Sequence, residues 1–233
     1  MKLLTVENSK TVKGEKMGWL TGILYLAPAC ISGTNVCPNS DTACRASCLY
    51  SAGRGAFSNV QQARIRKTKE LFSNNEAFIA QLNKDIDALA AKAKKLGMKP
   101  AVRLNGTSDL PWFWNGTSGI MDAHRDVQFY DYTKVAPRLT SKLPKNYHLT
   151  FSRSSNNHEA CLVALSRGFN VAVVFDKVPV GIKLWCSKVV DGDLSDLRFL
   201  DVKKGRKPVI VGLKAKGKAR QDKSSFVIRD LLD

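Results

Sequence analysis

The sequence predicts an α/β protein organised as a (β/α)8 TIM-barrel-like fold, complete or incomplete, with mostly parallel strands. Segments typical of buried strands alternate with segments typical of helices, which indicates βαβ units. There are about seven or eight strand candidates, the number that such a barrel needs. The late units carry loops in place of full helices, so we expect them to be irregular. An open doubly wound sheet is the alternative, although no glycine-rich dinucleotide turn follows any strand.

The strand candidates are short runs rich in apolar and β-branched residues, bounded by turn residues. In chain order they are residues 19–27, 100–105, 127–132, 147–152, 170–176, 182–186, 197–201 and 208–213. The helix candidates are residues 59–72, 73–97, 135–143 and 156–167. The clearest is 73–97, because Ser73 and Glu76 form a capping-box pattern and Gly97 supplies a stop. Its apolar residues recur at helical spacing: Phe78, Ile79, Leu82, Ile86, Leu89, Ala93 and Leu96.

The length of 233 residues fits one sizeable α/β domain. We therefore predict a single domain over residues 1–233, with a metal-binding loop at 30–55 and a basic C-terminal segment at 203–223. No apolar run approaches the roughly 18–20 residues needed to span a bilayer. The N-terminus turns polar too soon for a signal peptide. These features predict a cytoplasmic protein without a membrane partner.

A formal net charge of +17 and a pI near 9.8 predict an acidic partner. Such a field attracts polyanions and speeds their encounter. The excess is concentrated late in the chain, where Asp222 is the single acidic residue among Lys203, Lys204, Arg206, Lys207, Lys214, Lys216, Lys218, Arg220 and Lys223. We expect nucleic acid to contact Lys214, Lys216, Lys218 and Arg220. The alternative is a solvated basic surface that only aids solubility.

Three of the six cysteines, Cys37, Cys44 and Cys48, lie within twelve residues in a C-x6-C-x3-C spacing. A cytosolic chain does not use cysteines as a disulfide framework, and soft sulfur ligands select zinc or iron–sulfur clusters. A closed zinc site needs four ligands, and no histidine is near. The spacing therefore predicts an iron–sulfur cluster held by these three cysteines, 4Fe-4S or alternatively 3Fe-4S, with one iron open. Zinc and the absence of a metal remain alternatives.

Polar residues follow the predicted strands at the points where a barrel places its chemistry. Asp109, Asp131 and Lys134 are the candidate catalytic residues, because a carboxylate beside a lysine serves as a general base, an anion partner or a salt bridge. The sequence does not choose among these roles. The candidate cofactor-binding residues are Asn105, Ser152 and Arg153. The alternative is that loops begin with polar residues in every protein.

Several motifs spread over most of the chain resemble a family of phage-encoded proteins of unestablished function. They include Cys48-Leu-Tyr-Ser-Ala-Gly-Arg-Gly, Arg103-Leu-Asn-Gly-Thr-Ser-Asp, Phe129-Tyr-Asp-Tyr-Thr-Lys and Gly212-Leu-Lys-Ala-Lys-Gly-Lys-Ala-Arg. The resemblance implies a viral protein working in a bacterial host's cytoplasm. Three cysteines after a first barrel strand also resemble the architecture of radical S-adenosylmethionine enzymes, which implies S-adenosylmethionine as a cofactor. The spacing departs from the C-x3-C-x2-C of those enzymes.

Three functions follow as hypotheses. The first is an iron–sulfur enzyme, redox or radical, that acts on nucleic acid or nucleotides. The second is a basic nucleic-acid-binding protein whose metal site is structural. The third is a replication-initiation nuclease, in which Asp109, Asp131, Asp191 and Asp193 hold a divalent ion and Tyr130 or Tyr132 attacks a phosphate.

Overall fold

The computed structural model describes residues 1–6, 11–113, 119–140, 142–201 and 207–229. These residues form a mixed α/β protein whose ten strands make a mostly parallel sheet, and the described sheet is not closed. The α/β class and the mostly parallel strands are thus confirmed, whereas closure into a barrel stays a prediction. No helix among the described residues is both long enough and apolar enough to cross a membrane.

The strands and helices have the following bounds. The strands are β1 (Leu4–Thr5), β2 (Trp19–Leu24), β3 (Lys99–Arg103), β4 (Gln128–Thr133), β5 (Tyr147–Ser152), β6 (Val171–Phe175), β7 (Lys183–Leu184), β8 (Ser187–Asp191), β9 (Ile210–Lys214) and β10 (Val227–Ile228). The helices are α1 (Thr11–Glu15), α2 (Thr42–Ala46), α3 (Ser58–Ser73), α4 (Asn75–Lys95), α5 (Gly119–Ala123) and α6 (His158–Ser166).

Most predicted elements are present, and three predictions are wrong. Residues 197–201 form a short 3-10 turn (Arg198–Leu200) instead of a strand. Residues 135–143 contain only the 3-10 turn Ala136–Arg138 in their described part. The cap of α4 is Asn74, whose side chain accepts a hydrogen bond from the Ala77 N–H at 3.3 Å, and not Ser73. In the two short segments neighbouring contacts outweigh local preference, and the cap of α4 lies one residue later than predicted.

The described contacts group the chain into two compact units. Unit 1 comprises Met1–Cys37, Ser58–Asp131 and Thr140–His148, and unit 2 comprises Pro38–Phe57, Tyr132–Leu139 and Leu149–Asp233. The prediction of a single domain over residues 1–233 stays a prediction.

In unit 1, β2 pairs with β1 in antiparallel fashion and with β3 in parallel fashion, and β3 pairs in parallel with β4. Helix α4 covers β2 and β3. Its buried residues are Phe78, Leu82, Ile86, Leu89 and Ala93, the core of the predicted stripe. Fully burying one large aliphatic or aromatic side chain contributes about 1.5–3 kcal/mol, so this stripe is a main source of unit 1 stability.

A close backbone contact anchors the loop that follows β3. The Gly106 N–H donates a hydrogen bond to the Leu24 carbonyl at 3.0 Å. A Cβ atom at Gly106 would lie 2.7 Å from that oxygen and 2.8 Å from the Ile23 side chain. Only glycine permits this approach, so the loop after β3 is held directly against the end of β2.

In unit 2, β6 pairs in parallel with β5, β9 and β10, and β9 pairs in parallel with β8. Strand β7 forms a tight antiparallel hairpin with β8. The predicted strand 182–186 therefore covers β7 and the hairpin turn. Four of the five residues of β6 are buried and apolar, as expected for a strand covered on both faces, whereas β9 is buried over residues 210–212 and ends at the exposed Lys214.

Candidate functional site

Asp131 is the centre of a buried polar cluster in unit 1. It lies in β4 and has no exposed surface. One carboxylate oxygen accepts a hydrogen bond from the Asn105 N–H at 2.7 Å, and the other accepts one from the Tyr147 hydroxyl at 3.3 Å. The carboxylate thus joins the residues that follow β3 to the start of β5.

The environment of Asp131 changes its proton affinity. Burial raises the pKa of Asp131 from 3.8 to about 7, and the nearby negative charge of Asp109 adds to the rise. The hydrogen bond from Asn105, the positive charge of Arg103 and the hydrogen bond from Tyr147 oppose it. A carboxyl group with a pKa near 7 can exchange a proton at neutral pH, which is the property of a general acid or base.

The predicted residues Asn105 and Asp109 both lie in this part of unit 1, and both are buried. The Asn105 side-chain oxygen accepts hydrogen bonds from the Ser108 hydroxyl at 2.8 Å, the Leu110 N–H at 2.9 Å and the Trp112 indole N–H at 3.1 Å. Asn105 therefore organises its own loop. Because its oxygen already has these three donors, the contacts give it a positioning role, while its predicted cofactor role stays a prediction.

The other three predicted residues lie together in unit 2. Lys134 donates a hydrogen bond from its ammonium group to the Ser152 hydroxyl at 3.0 Å. Arg153, the next residue, donates to the Ser225 carbonyl at 2.6 Å and the Phe226 carbonyl at 3.2 Å. Arg153 therefore holds the chain that leads into β10. These contacts give Ser152 and Arg153 positioning roles, while their predicted cofactor role and the predicted catalytic role of Lys134 stay predictions.

Asp41 is a polar residue of unit 2 that the sequence predictions missed. It caps α2 by accepting a hydrogen bond from the Cys44 N–H at 2.6 Å, and it also accepts from the Ser155 N–H at 2.9 Å and hydroxyl at 2.7 Å. Burial alone would raise the pKa of Asp41, but the hydrogen bonds from Ser155 and Cys44 and the charge of Lys134 lower it overall. Aspartate is among the residues preferred at a helix N-cap, so its type is the one signal in the sequence for this role.

The three predicted metal ligands have different surroundings. In unit 1, the Cys37 sulfur accepts a hydrogen bond from the Ala29 N–H at 3.3 Å. In unit 2, Cys44 packs against the apolar cluster of Ala215, Ala219, Phe226 and Val227, and Cys48 precedes a 3-10 turn.

All six cysteines lie within the described residues, and none of them forms a disulfide bond. Within the described residues, no three His, Cys, Asp or Glu side chains are grouped so that they could hold a metal ion. The iron–sulfur cluster and its S-adenosylmethionine therefore stay predictions from the spacing and from the resemblance.

In the described part of the basic C-terminal segment, exposed cations alternate with buried alanines. Residues 202–206, which contain the predicted cations Lys203, Lys204 and Arg206, lie outside the described residues. In the following loop, Ala215 and Ala219 are buried in the apolar cluster of unit 2. The four predicted nucleic-acid contacts, Lys214, Lys216, Lys218 and Arg220, are all exposed. We call residues 214–220 the basic loop.

One carboxylate partly neutralises the basic loop. Asp193 accepts a hydrogen bond from the Lys214 N–H at 2.8 Å and pairs with the Lys216 ammonium group. Among the described residues, Lys218 and Arg220 have no acidic side chain within ion-pair distance. Within the described part of the chain, Lys216 is thus the one cation of the basic loop whose side chain pairs with a carboxylate.

The comparisons with known proteins identify one family. The family model described as gene product 88 matches residues 2–230, which is nearly the whole chain. No curated protein and no solved structure matches the chain.

Proposed function

The chain belongs to the gene product 88 family, in keeping with its resemblance to phage-encoded proteins, and we propose that it is a nucleic-acid-binding protein. In this proposal the basic loop contacts phosphate groups. The observation that carries it is the net charge of +17, together with the exposure of all four cations of the loop.

The construction of the basic loop supports this role. Its two alanines are anchored in the apolar cluster, so the backbone between them is held in place. The lysines and the arginine extend from that anchored backbone into solvent. Cations on a fixed backbone lose less freedom on binding than cations on a mobile tail, and an immobilisation cost is therefore avoided.

The surroundings of the basic loop also favour a polyanion. Between residues 207 and 229, the only acidic residue is Asp222, against Lys207, Lys214, Lys216, Lys218, Arg220, Lys223 and Arg229. Asp193 and Asp176, outside this range, pair with Lys216 and Arg229, and the cations that remain favour an anionic partner. Phosphate contacts release counterions from nucleic acid and supply sequence-independent affinity.

The salt dependence of binding tests the proposal. Four phosphate contacts to duplex DNA give a slope of about −3.6 in a plot of log affinity against log salt concentration. Fluorescence anisotropy with a labelled duplex, measured over a range of salt concentrations, gives this slope. Replacing both Lys218 and Arg220 by Gln should reduce the slope by about 1.8.

A matched control removes the same charge elsewhere. Lys92 and Lys95 are exposed near the end of α4 in unit 1, and replacing both by Gln changes the net charge equally. We expect the control to bind with nearly the wild-type slope. Three results would contradict the proposal. They are a wild type that binds no nucleic acid, a wild-type affinity that does not depend on salt, and an affinity that falls equally in both double variants.

A further inference from the structure

The hairpin of β7 and β8 in unit 2 has an unusual turn. Lys183 pairs with Lys188, and Leu184 pairs with Ser187, so Trp185 and Cys186 are the two turn residues. Both have positive φ angles, 51° and 61°. Two-residue turns of this kind strongly prefer Asn-Gly or Asp-Gly, because bulky side chains are strained there. A tryptophan and a cysteine therefore occupy this turn against the local backbone preference.

The pairing of the two strands in the same hairpin is also unfavourable. Lys183 and Lys188 lie directly opposite each other, and both are exposed. Like charges in directly opposed positions destabilise a strand pair. Lysine on an edge strand also discourages pairing with other chains, but one lysine is enough for that purpose. A turn and a strand pair that both go against local preference are expected at a functional site.

The Trp185 ring is placed for contact with a partner. Its edge-to-face contact with the His158 ring, at 4.8 Å between centroids and 71° between planes, holds the indole in one orientation. The indole is only half-buried. Two apolar side chains nearby, Val180 and Ile182, are 57% and 54% exposed. An oriented aromatic ring at a turn whose two strands carry exposed lysines has the composition of a platform on which single-stranded nucleic acid stacks its bases.

We propose that this hairpin binds single-stranded nucleic acid, with an unpaired base stacked on Trp185 and the flanking phosphates bound by Lys183 and Lys188. The inference rests on the proposed nucleic-acid binding and adds the form of nucleic acid that is preferred. Charge complementarity selects a polyanion over a neutral or basic protein partner, because each of the two strands that meet at the turn carries an exposed lysine. A duplex keeps its bases stacked inside, so it offers no free base to the ring.

The experiment compares a labelled oligo-dT of about 20 nucleotides with a labelled duplex of equal length. We expect Trp185→Leu to weaken binding of the single strand about tenfold or more and to leave duplex binding within about twofold. Trp185→Phe should retain most of the single-strand affinity, because phenylalanine also stacks. Replacing Lys183 and Lys188 by Gln should reduce the single-strand salt slope by about 1.4. Ile182→Ala, in the same hairpin, is the control for loss of apolar surface.

Two failures are distinguishable. If the wild-type protein binds neither nucleic acid, the proposed function fails and this inference fails with it. If the wild type binds nucleic acid but Trp185→Leu binds the single strand as tightly as the wild type, only this inference is overturned. Equal losses in Trp185→Leu and Trp185→Phe, with unchanged circular dichroism, would also overturn it, because stacking predicts a difference between them.

Discussion

Replacing Asp131 by Asn should remove a large part of the pH dependence of stability. The buried carboxyl group accepts hydrogen bonds from the Asn105 N–H and the Tyr147 hydroxyl, and burial raises its pKa from 3.8 to about 7. An asparagine amide has nearly the same shape. Its oxygen can still accept from Asn105, and its NH2 group can donate to the Tyr147 oxygen.

The sign of the effect follows from the direction of the pKa shift. Because the pKa is higher in the folded state, folding favours the protonated carboxyl group. The contribution of Asp131 is most favourable below its unfolded pKa of 3.8, and it is lost as the pH rises through about 7. The rise of the pKa from 3.8 to about 7, at about 1.36 kcal/mol for each pKa unit, corresponds to a total loss of about 4 kcal/mol in the free energy of unfolding. Roughly 2–3 kcal/mol of it falls between about pH 5 and pH 8.

Urea unfolding at about pH 5 and pH 8 measures this effect. The free energy of unfolding of the wild type should fall between the two pH values by about 2–3 kcal/mol more than that of Asp131→Asn. Asp126→Asn, at an exposed position of unit 1, should keep the wild-type pH dependence. Equal pH dependence in the wild type and Asp131→Asn would refute the reasoning, as would a carboxyl 13C titration of Asp131 with a midpoint near 4.

Three further predictions concern other parts of the chain. Arg198→Met should lower the free energy of unfolding by about 3 kcal/mol or more, because it leaves Asp201, 3.4 Å from the guanidinium, unpaired and largely buried; a loss under about 1 kcal/mol in urea unfolding would contradict it. Gly106→Ala should lower the free energy of unfolding by about 1–3 kcal/mol, because its Cβ would overlap the end of β2. Gly119→Ala, with open space around it, should lower it much less, and equal losses of the two variants in urea unfolding would contradict this prediction. The cysteine spacing in loop 30–55 predicts brown protein after anaerobic reconstitution, with visible absorbance lost in Cys→Ser variants; colourless wild-type protein without iron or sulfide would remove that hypothesis.

The sequence alone predicted the elements that local patterns encode. Helix α4 followed from its apolar stripe and from Gly97, which has the positive φ of 66° that a helix stop needs. The α/β class followed from strand and helix segments in alternation. The net charge and the exposed cations of the basic loop could also be predicted, because long charged side chains are seldom buried without a partner.

Part of the candidate site was also predictable. The sequence predicts Asn105, Asp109 and Asp131 as site residues because they lie at or just after the ends of predicted strands, and the parallel pairing of β3 with β4 brings Asn105 and Asp131 together. Lys134 and Ser152 are predicted on the same ground, and their side chains are in contact. The sequence could not supply their partners. Tyr147 contacts Asp131 across 16 residues and Asp41 contacts Ser155 across 114, and no local pattern encodes such distances.

Only the tertiary structure decided what burial and pairing did to individual residues. Asp131 reads as an ordinary carboxylate in the sequence, and its pKa near 7 exists because the surrounding strands and loops exclude water from it. Residues 182–186 read as one strand, but β7 turns back on β8 and leaves Trp185 in a strained turn. Local propensity sets which segments form helices and strands, whereas desolvation and strand register depend on residues distant in the chain, and these arise only when the chain is folded.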